Sequence, residues 1–130
     1  MYRVAIITSS DAGYRKERED ASGPVIREIV EQNGYQAVSY VVLPDEQQML
    51  EEEMKKIADE DLADLIVTTG GTGFSPRDCM PEATLAVSER MVPGIPEAMR
   101  AYSLRFTKRS MLSRAAAGIR KKTLIVNLPG

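Results

Sequence analysis

Apolar positions along the chain fall into short, evenly spaced groups. Val4-Ala5-Ile6-Ile7 is an unbroken apolar run, the pattern of a strand covered on both faces. A polar, charged loop is expected from Ser9 to about Ser22. Val25, Ile26, Ile29 and Val30 then recur at helical spacing, with Pro24 in the first turn and Gly34 as the stop. Ala37 to Leu43 is β-rich and predicts a second strand. Pro44-Asp45-Glu46 opens a helix whose apolar face is Leu50, Met54, Ile57 and Ala58. Leu65 to Thr69 reads as a third strand. Pro81 opens a helix carrying Ala83, Leu85, Ala86 and Val87. Another helix begins near Pro93-Gly94-Ile95-Pro96, with Ile95, Met99, Tyr102 and Phe106 on one side. Ala115 to Ile119 and Thr123 to Asn127 flank a basic turn, Arg120-Lys121-Lys122, either as a β-hairpin or as a helix end followed by a strand. Alternating β and α segments predict an α/β sandwich around a mostly parallel sheet.

Composition narrows the class. A chain of 130 residues fits one domain with one core. Its 43% hydrophobic and 28% charged content is ordinary for a globular protein. The net charge of −2 offers nucleic acid no electrostatic support. No apolar run approaches the roughly 20 residues that span a membrane. The first residues read as a strand, too short for a signal-peptide core. A lone cysteine, Cys79, excludes an internal disulfide and suits a cytoplasmic protein. Histidine is absent, which excludes a Ser-His-Asp triad, a Cys-His pair and histidine-ligated zinc. The chemistry left is that of carboxylates, Lys and Arg, hydroxyls, backbone amides and an oxygen-preferring metal such as Mg²⁺. Methionines at helical spacing are core filler.

The stretch Thr68-Thr69-Gly70-Gly71-Thr72-Gly73-Phe74-Ser75-Pro76-Arg77-Asp78 carries the most chemistry. A strand ending in glycines and handing over to a helix builds an anion site, because the amides approach a phosphate closely and the helix start adds positive charge. Asp78 repels an anion unless a metal ion lies between them. Ligands of open α/β sheets sit beyond the carboxyl ends of the strands. Four loops meet that condition: Ser9-Ser10-Asp11, Pro44-Asp45, Gly70 to Asp78, and Asn127-Leu128-Pro129-Gly130. The prediction is one crevice lined by two or three aspartates, glycines and hydroxyls. Each residue also has a plain alternative: Asp45 and Asp78 as helix openers, the glycines as a tight turn, and the Arg120 to Lys122 run as a solvated turn.

The chain resembles the molybdopterin adenylyltransferase family, the MogA/MoaB-type proteins of molybdenum cofactor biosynthesis, with related domains in plant Cnx-type proteins and gephyrin. The shared blocks are Asp20-x-Ser22-Gly23-Pro24, Pro44-Asp45-Glu46, and Thr69 to Gly73 with Pro76-Arg77-Asp78 and Pro81-Glu82-Ala83-Thr84. Pro93-Gly94, Leu112-Ser113-Arg114 with Gly118-Ile119-Arg120, and Asn127-Leu128-Pro129-Gly130 follow. The resemblance implies a three-layer α/β/α sandwich and a homotrimer. It implies joining of molybdopterin to AMP from ATP, with Mg²⁺ and release of pyrophosphate. By this resemblance Asp45 and Asp78 are the catalytic and metal-holding residues. The resemblance places Thr72, Ser103, Ser113 and Asn127 on the pterin and phosphate side; the chemistry of the residues adds Gly70, Gly71 and Gly73 as a phosphate cradle and Ser9, Asp11, Pro129 and Gly130 on the nucleotide side. A downstream molybdenum-insertion protein is the implied partner.

Two positions depart from the family pattern. Met80 stands where a helix-capping threonine is usual, so a cap worth roughly 1 kcal/mol is expected to be missing. Family members also continue past Asn-Leu-Pro-Gly with another proline and a closing helix. Residues 1–130 are therefore expected to form one domain without that helix, as a piece of a longer chain or as a member lacking it. Two rival functions share these features: a non-catalytic molybdopterin-binding module, and a nucleotide pyrophosphatase of the competence-damage-inducible type.

Overall fold

The computed structural model describes residues 1–130. Strands β1 (Arg3–Ser9), β2 (Gln36–Leu43), β3 (Leu65–Thr69), β4 (Arg90–Met91), β5 (Ala117–Arg120) and β6 (Thr123–Leu128) form one sheet. Its order is β2-β1-β3-β6-β5-β4. The first four strands in that order are parallel, and β5 and β4 add an antiparallel edge. Helices α1 (Asp11–Tyr14), α2 (Ser22–Gln32), α3 (Gln47–Asp59), α4 (Met80–Val87) and α5 (Gly94–Ser103) connect them, with a 3-10 turn at Lys108–Leu112.

The three layers follow from alternation along the strands. In β1, Ala5 and Ile7 face α3 and α4, while Val4 and Ile6 face α2. Leu50, Met54, Ile57 and Ala58 of α3 are all buried, each larger side chain contributing about 1.5–3 kcal/mol. Met80, Ala83 and Val87 complete that layer. Cover on the α2 side is thinner. Val30 is buried there and Ile26 packs against it, but Val25 and Ile29, the other two periodic positions, point outward at 54% and 53% exposure.

Several predicted boundaries shift. The polar loop after β1 contains the short helix α1, because the Ser10 hydroxyl accepts from Gly13 N–H and caps it. Helix α3 starts at Gln47, leaving Pro44, Asp45 and Glu46 in the loop before it. Helix α5 ends at Ser103; Phe106 lies beyond it, touches the Tyr102 ring and is exposed. The basic turn closes a β-hairpin, with Lys121 at φ 52°. Strand β4 is two residues long, too short to show a pattern.

Parallel pairing brings the carboxyl ends of four strands to one edge of the sheet. Register pairs Thr8 with Thr69, Thr69 with Leu128, and Ser9 with Leu43. The loops that follow these residues therefore meet.

Candidate active site at the carboxyl ends of the strands

Gly70 and Gly71 have φ values of +89° and +72°, a region that side-chain-bearing residues avoid. Space adds a second requirement. A Cβ on Gly70 would strike the Ser9 carbonyl oxygen, and one on Gly71 would lie 3.3 Å from the Ser9 hydroxyl. The glycines therefore let the loop after β3 lie directly on the end of β1. Gly71 C=O then accepts from Met80 N–H at 3.1 Å, tying the loop to the start of α4.

Asp45 does not open α3. Its Oδ1 accepts from the Ser9 hydroxyl at 2.5 Å and its Oδ2 from Asp11 N–H at 3.1 Å. Asp11 returns the bond, accepting from Asp45 N–H at 2.9 Å, and Arg77 grips both Asp11 oxygens at 3.0 Å. The Arg77 guanidinium, helped by the Asp45 amide, holds the Asp11 carboxyl down at about 2. Asp78 closes the glycine loop on itself, its carboxylate accepting from Ser75 N–H at 3.0 Å. It caps no helix, and α4 starts at Met80 without a side-chain cap. Met80 instead fills the core, fully buried, so the position serves packing where a hydroxyl would serve capping. Burial raises the neighbouring Cys79 thiol, which disfavours thiolate chemistry there.

A third carboxylate organises the opposite wall. Asp20 Oδ2 accepts from the Thr8 hydroxyl at 2.7 Å, from Gly23 N–H at 3.2 Å and from the Tyr40 hydroxyl. Burial and the adjacent carboxylate push the Tyr40 phenol up to about 12. Sequence reading brings in Asp20 only through the Asp20-x-Ser22-Gly23-Pro24 block. Its hub role depends on Thr8 and Tyr40, which adjacency along the chain does not reveal.

Three adjoining cavities run along this edge. The first, about 400 Å³, is lined by Ser9, Asp20, Asp45, Gly70, Gly71, Asp78 and Gly130 among others. The second, about 350 Å³, shares Gly70, Gly71, Asp78 and Gly130 with it and adds Thr72, Gly73, Arg109, Ser113 and Pro129. The third, about 240 Å³, shares Arg109, Ser113 and Pro129 with the second and extends over Pro96, Met99, Ser103 and Ala115. Eleven of the thirteen predicted positions line one or more of these cavities.

Asp11 and Asn127 do not. Asp11 lies behind Asp45, occupied by Arg77. Asn127 is fully buried: its amide donates to the Thr68 and Thr84 hydroxyls at 3.0 and 2.8 Å, and its carbonyl accepts from Ala116 N–H at 3.0 Å. Its contribution is to lock β6, β3 and α4 together beneath the crevice. Arg114 is the counterpart above. Its backbone N–H donates to Thr72 C=O at 2.8 Å, and its guanidinium reaches Gly73 C=O at 2.7 Å, Asp78 C=O at 3.1 Å and Glu82 at 2.6 Å. The glycine loop is thus held open by a residue 41 positions downstream of Gly73.

No cluster of three or more His, Cys, Asp or Glu side chains is set to hold a metal ion. Asp45 and Asp78, on a cavity that Asp20 also lines, suit a hard cation that keeps most of its shell as phosphate oxygens and water, as Mg²⁺ does. Glycine amides, aspartates and hydroxyls at the carboxyl edge of an α/β/α sheet are the groups that suit a phosphate-bearing ligand.

Comparison with known proteins narrows that class. Residues 5–130 match the family described as "Probable molybdopterin binding domain". A molybdopterin adenylyltransferase of Helicobacter pylori strain J99 is 41% identical over 129 residues, 98% of this chain and 73% of that protein. One from Haemophilus influenzae is 38% identical over 132 residues, covering 100% and 67%. The crystal structure of the molybdopterin biosynthesis enzyme MoaB from Thermus thermophilus superposes with a TM-score of 0.94 at 46% identity, covering 100% of this chain and 82% of that one. The chain belongs to this molybdopterin-binding family.

Proposed function

We infer that this chain is an enzyme of molybdenum cofactor biosynthesis that transfers AMP from ATP to molybdopterin, giving adenylyl-molybdopterin and pyrophosphate. The observation that carries this reading is Asp45, Asp78 and the Gly70-Gly71 backbone on one cavity, in a chain of this family. The nucleophile is an oxygen of the molybdopterin phosphate, already ionised at neutral pH. It forms a bond to the α-phosphorus of ATP as the bond to pyrophosphate breaks. No proton acceptor is needed, so the absence of histidine is no obstacle.

The protein's task is to bring two anions together in line and to meet the charge that develops. Asp45 and Asp78 would hold Mg²⁺, which when bound neutralises phosphate charge. The amides of Gly70 to Gly73 cradle phosphate, and Ser9, Pro129 and Gly130 contact the nucleotide. Thr72, Ser103 and Ser113 face the pterin side. Asp11 and Asn127 position these groups from behind. Asp45 is suited to its part because its own bonds come from a hydroxyl and an amide, neither of which carries a charge to cancel it.

A cytoplasmic homotrimer handing its product to a molybdenum-insertion protein belongs to the same proposal. The exposed Tyr102, Phe106 and Met111, at 61%, 74% and 62%, support an assembly surface beside α5. The test is incubation with molybdopterin, Mg²⁺ and ATP. Pyrophosphate and adenylylated pterin are expected in equal amounts. Binding of both substrates without adduct would reject the catalytic reading.

A further inference from the structure

Most cations around the crevice are already engaged. Arg77 is paired with Asp11, Arg114 with Glu82, and Arg100 donates to the carbonyls of Ser113 and Ala115. Arg109 differs. Its backbone N–H is tied to the Thr107 hydroxyl, while its guanidinium is exposed and meets no acceptor. It lines both the cavity over the glycine loop and the cavity beside α5.

Its base is firmly held. The Ser110 hydroxyl donates to Arg100 C=O at 2.6 Å, fixing the 3-10 turn to α5. A few residues on, Arg114 fastens the chain to Thr72 and Gly73. A free guanidinium is thus presented from an anchored turn where two cavities join.

We propose that Arg109 binds the phosphate of the pterin substrate and selects for its presence. The inference rests on the adenylyl-transfer reading. The ring system has room beside α5, among Pro96, Met99 and Ala115. The reacting phosphate must lie over the glycine loop to meet the nucleotide, so it passes the point where Arg109 stands. ATP arrives with its charge partly neutralised by a metal ion, but a phosphate monoester does not. Asp78 faces the same cavity and repels it. A guanidinium supplies the missing charge and grips phosphate with two parallel bonds.

The test measures pterin fluorescence on titration, which suits a protein without tryptophan. Molybdopterin and its dephosphorylated form are each titrated, without ATP, against the wild-type chain, Arg109→Ala, Arg109→Lys and Arg90→Ala. Arg90 is an exposed arginine on β4 and lines none of the three cavities, so it controls for loss of one charge. Arg109→Ala is expected to weaken binding of the phosphorylated pterin about 10- to 100-fold. Arg109→Lys should retain part of that affinity, and Arg90→Ala all of it. The dephosphorylated pterin should bind the wild type and Arg109→Ala alike. Equal affinity of the wild type and Arg109→Ala for the phosphorylated form overturns the inference alone. So does an equal loss for both pterins. A wild-type chain that binds neither pterin overturns the functional reading and this inference together.

Discussion

The two ends of the parallel strands treat charge in opposite ways. At the amino ends, carboxylates are matched with cations: Arg3 with Asp61 and Asp64, and Arg120 and Lys121 with Asp59. At the carboxyl ends, Asp45, Asp78 and Asp20 are held by hydroxyls and backbone amides, which orient a carboxylate without neutralising it. Ion pairs at that end, among them Arg77 with Asp11 and Glu46 and Arg114 with Glu82, brace loops. Charge is cancelled where it serves only the fold and left uncancelled where a ligand must meet it. Under the proposed reaction, the cation that accompanies the nucleotide would supply the opposing charge.

The strongest test of this contrast removes charge from the crevice without changing shape. Asp45→Asn or Asp78→Asn should each lower adenylyl transfer by about 100-fold or more, with melting temperature nearly unchanged. Wild-type turnover in either variant would end the role given to that residue.

A smaller effect, on stability, is expected beneath the site. Asn127→Ala leaves the Thr68 and Thr84 hydroxyls and the Ala116 N–H without their partner. Denaturant unfolding should show a loss of roughly 1–3 kcal/mol. A change well below that would mean water replaces the amide. At the amino end, Arg3→Ala breaks half-exposed and exposed pairs, so its shift in unfolding midpoint should be smaller still, with turnover unchanged. A loss of turnover in that variant would break the division between the two ends.

The smallest effect concerns pH. Asp11 has its carboxyl at about 2, below its ordinary value of 3.8, because of Arg77. A lowered value in the folded state means the pair stabilises above the unfolded value. That contribution is lost as pH falls from about 4 through 2. Stability measured over that window should fall less steeply in Arg77→Ala than in the wild type. Parallel curves would show that the pair contributes nothing.

Legibility in the sequence tracked how local each cause was. The buried face of α3 is written in the spacing of Leu50, Met54, Ile57 and Ala58, and β1 in its apolar run. The convergence of four loops followed from one rule about parallel sheets, once strands and helices were seen to alternate. What escaped depends on distant partners. Tyr40 and Thr8 gain meaning only around Asp20. Arg114 gains it only beside Gly73, and Arg109 only where two cavities join. Asn127 looked like a loop residue because its neighbours are Leu128, Pro129 and Gly130, yet it is the last inward position of β6 to meet α4. The Arg120 to Lys122 run reads as a solvated turn from composition alone. Its ion pairs with Asp59, at the end of the sheet away from the crevice, depend on a partner that adjacency does not reveal.

Sheet order has a consequence for how this protein is made. Strand β6 is the last strand in sequence but lies in the interior of the sheet, between β3 and β5. A nascent chain can pair β2, β1 and β3 early, yet β3 keeps a bare edge of hydrogen-bonding groups until residues 123–128 leave the ribosome. Such an edge is a template for unwanted pairing. Synthesis therefore passes through a vulnerable interval that ends only when the loop after β6 joins the candidate crevice. Pulse-labelled amides between β3 and β6 should gain protection after those between β1 and β2, and the reverse order would refute this sequence of events.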